Sequence, residues 1–460
     1  MRMTPSFTGH TVTSLACMAW LCGCVTTAPD PLALVADREA DPARRARAVL
    51  QLPVDTPSTS ALHDVLWDDR QPTELRLAAM DWLTAHDEAG LRVAAARELP
   101  RVDRWEVLTP LCEQVALRQW TDLAGALVRS WARSSKQVAD ADRPERAALQ
   151  ALHPGESASR VLWRLVAEQD AVAGAAAWEV LVRTTDRDAL TGQLQQQPGA
   201  SPLLADLQLG WRDLHVLPRT QEQAAWLMHL SGTGDGAILQ RASLAARSAG
   251  ASFDGMAVRH IPILDRVGTE APGRDHLVRT LSSRQRQGIH VVARIGDDTA
   301  VMPPRHGELA EHLETLPWPD LLAVAMIDVQ LGEVPTRREV FAQADADLAD
   351  TSSEHGGVLA WRGREFSPVA FPPMLRGNDH RYVPPPELIH AMYTGLAHYH
   401  FHAQQHDNAA YAGPGGGDLA FADRFGAACV VFTFIDRDTL NVDYYHEGGV
   451  VIDLGCIMRP

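Results

Sequence analysis

The strongest constraint on the fold is a change of apolar period along the chain. Through residues 41–186 apolar side chains recur at helical spacing, as with Leu75, Ala78, Ala79, Trp82 and Leu83, which share one helix face. Beyond about residue 320 the apolar runs shorten and alternate. Residues 357–361, 396–402, 429–434, 440–445 and 450–454 read as strands, and 384–395 reads as a helix. A chain that switches period in this way implies an all-α N-terminal part followed by an α/β part, within the two or three domains that 460 residues allow. The helical domain is expected over 41–255, a connector or the end of that domain over 256–320, and the C-terminal domain over 321–460. The connector predicts a strand at 289–295 and a short helix at 307–316. The C-terminal domain predicts a further strand at 323–329 and an amphipathic helix at 336–348.

Composition narrows the partners. The chain carries 42 basic against 58 acidic residues, a net charge of −16, and Lys136 is its only lysine. A nucleic-acid binder needs a basic footprint, so no nucleic-acid partner is expected. The first 23 residues read as an export signal: Arg2, then a mostly apolar stretch over 12–21, then Leu21-Cys22-Gly23-Cys24. Ten helical residues rise only about 15 Å, half of a hydrocarbon core, so the stretch is too short to span. The tetrapeptide resembles the lipobox of bacterial lipoproteins, which implies lipidation at Cys24, a tether over 24–40, and an exported protein held to the cell envelope by its lipid. Cys112, Cys429 and Cys456 then remain, with Cys429 and Cys456 either paired or buried as thiols.

The helical region repeats a loose unit: an acidic turn, a proline, then an Arg- and Ala-rich helix. Asp41-Pro42 opens one such unit and Asp68-Asp69-Arg70-Gln71-Pro72 another. These units resemble HEAT or armadillo-type repeats, and the resemblance implies a scaffold surface for a protein partner. The nine tryptophans between Trp67 and Trp226 are expected in the core or in grooves rather than around a cofactor.

The chemistry concentrates near the C-terminus, where eight of the 19 histidines fall in the last 110 residues. On a strand, His398, His400 and His402 share one face, about 6.6 Å between alternate residues, and two neighbouring imidazoles can converge on one cation. A catalytic zinc takes three protein ligands and keeps one position open. Asp418, after the glycine-rich turn 413–417 and at the start of a helix expected over 419–425, is the natural third ligand, with His406 as the competing one. Glu354, ahead of a Gly-Gly strand, is the candidate general base. His398 is expected to support the site from behind. Asp436, Asp438, Asp443 and Asp453 read as turn or rim residues.

The order Glu354, Gly-Gly-Val-Leu, His400-x-His402 and Gly415-x-x-Asp418 resembles the MPN/JAMM (JAB) metalloproteases over about 320–457. That resemblance implies Zn²⁺ on His400, His402 and Asp418, with Glu354 activating a metal-bound water to hydrolyse a peptide or isopeptide bond in a peptide or protein substrate. Gly415 stands where the family has a serine, whose role at the oxyanion falls here to a backbone N–H of the glycine run. The alternative is a non-catalytic scaffold or interaction lipoprotein with a degenerate domain of this type.

Overall fold

The computed structural model describes residues 30–133, 138–168, 170–199, 201–232, 237–284, 286, 305–362, 365–377 and 382–460. The export signal, Cys24 and residues 289–295 lie outside them. The chain divides into two compact units, one ending at Val93 and the other running from Ala94 to Pro460.

Helices fill the chain as far as Ser283. The acidic turns of the sequence act as N-caps. Asp41 accepts from the Arg44 N–H with Pro42 in the first turn, and Asp55, Asp170 and Asp186 cap in the same way. Pro72 is itself the N-cap of Thr73–His86, one position earlier than in the Asp41 unit. Small residues allow close packing in the second unit. A Cβ added at Gly174 would lie 3.2 Å from the Leu165 carbonyl oxygen, and Trp163 and Trp178 meet edge to face at 5.9 Å. Trp82, Trp120, Trp131, Trp163, Trp178 and Trp226 are buried, whereas Trp105 is 38% exposed.

The C-terminal part is a mixed seven-stranded sheet: β1 (Arg305–Glu308), β2 (Gly356–Arg362), β3 (Glu365–Phe371), β4 (Ala397–His402), β5 (Cys429–Asp436), β6 (Thr439–His446) and β7 (Val450–Met458). Its order is β1-β7-β6-β5-β4-β2-β3. The β1–β7 and β4–β5 pairs are parallel and the other neighbours antiparallel. An all-helical N-terminal part followed by an α/β part is therefore the architecture observed.

Two sequence expectations are corrected. Residues 323–329 are not a strand but the middle of a helix, Trp318–Gly332, in which Leu321 to Ala325 are all buried. An apolar run without period is equally compatible with a buried strand and a buried helix; here Pro319 in the first turn and a length of 15 residues select the helix. The helix expected over 307–316 gives its first residues to β1, and only Leu309–His312 is helical. The expected helix at 336–348 lies within Val334–Ala349, and that at 384–395 shortens to Pro386–Met392.

Strand alternation places the site. On β4, Tyr399 and Phe401 turn to one face. There they meet Phe432 and the Val334–Ala349 helix, whose Gln343 accepts from the Tyr399 hydroxyl at 2.5 Å. His398, His400 and His402 turn to the other face. That face is closed by an apolar cluster including Val358, Leu388, Met392, Leu419 and Val431. Each such side chain contributes about 1.5–3 kcal/mol by burial, which pins the Pro386–Met392 and Gly416–Phe425 helices against the sheet.

Candidate metal centre

β4 lies inside the sheet, parallel to β5 and antiparallel to β2, with Gly356 opposite His400. Both histidines are therefore held on a strand paired on its two sides. Asp418 reaches them from the first turn of the Gly416–Phe425 helix. Its Oδ2 lies 3.3 Å from His400 Nε2 and 3.7 Å from His402 Nε2, and the two imidazole nitrogens are 3.3 Å apart. Ligand bonds of about 2.0–2.1 Å in a tetrahedron place neighbouring ligand atoms roughly 3.3 Å apart. This triangle has that size. His400, His402 and Asp418 can hold a metal ion, and among the described residues theirs is the one such group.

Supporting contacts aim the ligands. His402 Nδ1 lies 2.8 Å from the Tyr411 carbonyl oxygen. A carbonyl only accepts, so Nδ1 carries the proton and Nε2 presents its lone pair to the centre. The Gly415 N–H donates to Asp418 Oδ2 at 2.7 Å, the return contact of an N3 carboxylate to its N-cap. Within the glycine run expected to offer an oxyanion donor, the Gly415 N–H is thus engaged with the ligand carboxylate.

Glu354 precedes β2 opposite the end of β4, where the Phe401 N–H donates to the His355 carbonyl at 3.1 Å. It is 6% exposed and lines the same cavity of about 850 Å³ as His398, His400, His402 and Asp418. Gln404 Nε2 donates to Glu354 Oε1 at 3.1 Å, and Asn408 Nδ2 donates to Gln404 Oε1 at 2.9 Å and to the His402 carbonyl at 3.0 Å. The long segment between His402 and Asp418 therefore supplies Gln404, Asn408 and the Tyr411 carbonyl. The sequence signal for them was only a run of polar residues directly after the histidine strand.

The electrostatics follow from burial and proximity. Burial alone would favour protonated Asp418, but His400, His402 and the Gly415 N–H hold its carboxyl well below the usual range. Burial opposes a charge on His400, yet Asp418, followed by Glu354 and Asp347, raises it to about 9. Burial and the neighbouring His400 lower His402 and take His398 down to about 3. Burial raises Glu354 to about 7, with Asp418 adding to the rise and His400 and Gln404 opposing it.

Other residues fall elsewhere. His406 packs edge-on against Phe434 at 5.1 Å and borders a separate cavity with Asp345 and Arg459, so it is not the third ligand. Asp436 and Asp438 do sit at the β5–β6 turn, where the Asp438 N–H donates to Asp436 Oδ1. Asp443 and Asp453 are buried, however, and face each other across β6 and β7 instead of lining a rim. Strand alternation carried them to the interior. Cys112, Cys429 and Cys456 are free, with Cys429 buried.

No protein-family model matches this chain, and comparison with curated proteins and with solved structures gives no match either.

Proposed function

We propose that the chain is an envelope lipoprotein, anchored through Cys24, whose C-terminal domain is an MPN/JAMM-like zinc-dependent peptidase or isopeptidase. The carrying observation is the convergence of His400, His402 and Asp418 within 4.8 Å of one another, with Glu354 lining the same cavity. Two imidazoles and one carboxylate are a zinc-type donor set that leaves a position open. A bound Zn²⁺ ion would supply Lewis acidity towards water and the scissile carbonyl. The remaining work falls to the protein. Glu354, raised to about 7, is poised near neutral pH to take a proton from the attacking water and return it to the departing amine. Gln404 orients the carboxylate, and the Tyr411 carbonyl and Gly415 N–H orient His402 and Asp418. The substrate on this reading is a peptide or protein, and the HEAT-like helices are a surface for a protein partner.

A non-catalytic, metal-binding scaffold is the second reading. It is favoured by Gly415, which lacks the family's serine hydroxyl and whose N–H is engaged with Asp418. Metal analysis and peptide-library cleavage with the full chain separate the two. The enzyme reading expects one zinc per chain, lost in His400→Ala, and amide cleavage lost in Glu354→Ala with zinc retained. Zinc without turnover on any peptide leaves the scaffold. Incorporation of labelled fatty acid that persists in Cys24→Ala would overturn the anchor.

A further inference from the structure

The helix that carries Asp418 is gripped at its far end by the helical part of the chain. Gly416–Phe425 has only ten residues, with Asp418 in its first turn. At its C-terminus the Gly426 N–H closes on the Ala422 carbonyl at 2.8 Å, so the Asp423 and Arg424 carbonyls lie past the last intrahelical bond. Both are met from the start of the helix Gln221–Gly232. Thr220 Oγ1 donates to the Arg424 carbonyl at 2.5 Å, and Gln223 Nε2 lies 3.4 Å from the Asp423 carbonyl and 2.9 Å from Glu447 Oε2. Thr220 Oγ1 also accepts from the Gln223 N–H at 3.2 Å, as an N-cap does. One hydroxyl thus joins the positive end of one helix to the negative end of the other. Glu222 pairs with Arg424 at 2.6 Å. Gly426 has a φ of 63°, and a Cβ there would lie 2.7 Å from the buried Gln223 side chain, so the approach needs glycine.

Resting on the metal-centre reading above, we infer that Thr220 and Gln223 are positioning residues for Asp418: they fix the ligand helix by its C-terminal end, and the helical part of the chain thereby sets the metal affinity. Asp418 and Arg424 are only about 9 Å apart along the helix axis, so a shift at the gripped end reaches the carboxylate. His400 and His402 need no such support, because β4 is paired on both sides. The carboxylate corner of the triangle is the one that a lost contact moves, and metal–ligand distances tolerate only about 0.2 Å. The helical part is on this view a component of the centre as well as a surface for a partner.

The test measures Zn²⁺ affinity of the full chain by competition with a chelator, beside urea unfolding of the metal-free protein. Thr220→Val and Gln223→Leu are expected to weaken zinc binding roughly tenfold, whereas Thr220→Ser, which keeps the hydroxyl, should bind as wild type does. Trp226→Phe is the control. Trp226 lies on the same helix, but its Nε1 donates at 2.9 Å to the Tyr393 carbonyl, at the end of the Pro386–Met392 helix, which carries none of the three ligands. This variant should lose stability and keep its zinc affinity. Unchanged affinity in Thr220→Val or Gln223→Leu, or an equal loss in Trp226→Phe or Thr220→Ser, overturns the inference. If Gln223→Leu does not fold, Thr220→Val against Thr220→Ser decides the matter. Wild-type protein that takes up no zinc overturns the metal reading itself, a failure distinct from unchanged affinity.

Discussion

The sharpest quantitative expectation concerns the pH dependence of metal affinity. His400 is raised to about 9 in the metal-free site because Asp418 stands 3.3 Å from its Nε2. A ligating imidazole must be neutral, so the ion has to displace this proton. Asp418 is held ionised and His402 is lowered, so neither ligand releases a second proton near neutral pH. Between pH 7 and 9 the association constant should rise about tenfold per pH unit, roughly hundredfold in all, and level off above 9. Displacing the proton costs about 3 kcal/mol at pH 7. Competition titration of Zn²⁺ against a chelator across this range gives the slope. Calorimetry at pH 7.5 in buffers of different ionisation enthalpy counts the protons, with about one released per ion. A flat profile from 7 to 9, or no proton release, would refute the coupling of His400 to Asp418. Asp418→Asn should weaken binding and flatten the slope together, because it removes a ligand and the charge that raises His400.

Three further expectations rest on neighbouring contacts. In metal-free protein, Glu354 binds its proton more tightly folded than unfolded between 4.5 and about 7, so stability falls as pH rises through that window. Glu354→Gln should therefore be neutral to urea unfolding at pH 4 and stabilising by up to about 3 kcal/mol at pH 8; an equal effect at both values would contradict the burial argument. Gln404→Ala removes a donor to the Glu354 carboxylate, so the acid limb of a pH–rate profile should move to higher pH at constant zinc content. A shift to lower pH would show that the contact does not favour the charged form. Arg259 is buried against Asp320 and Glu447, 2.9 Å from each, and Arg259→Ala removes the guanidinium they share, leaving Asp320 to His260 and Glu447 to Gln223. A loss of about 3–5 kcal/mol is expected by chemical denaturation, and a loss below 1 kcal/mol would mean that water reaches the pair.

Local rules carried much of this protein. Proline and acidic caps marked the helix starts, and short apolar or alternating runs marked β2, β4, β5, β6 and β7. The same alternation put His400 and His402 on one face before any packing was known. Local rules failed where burial was complete. Residues 323–329 were ambiguous because a helix buried over most of its surface shows no polar stripe, and Asp443 and Asp453 ran against the rule that carboxylates stay at the surface.

Sequence by itself thus determined which groups were available: two imidazoles on one strand, a carboxylate in the first turn of a later helix, and a glutamate before a glycine pair. Tertiary structure alone decided that Asp418 comes within 3.3 Å of His400 while His406 packs against Phe434 on the opposite face. It also recruited Gln404, Asn408 and the Tyr411 carbonyl as supports. The reason is physical. Strand and helix periods act over a few residues, whereas the distance between residues 400 and 418 is set by apolar burial that presses a helix onto a sheet, and that follows from the packing of the whole domain.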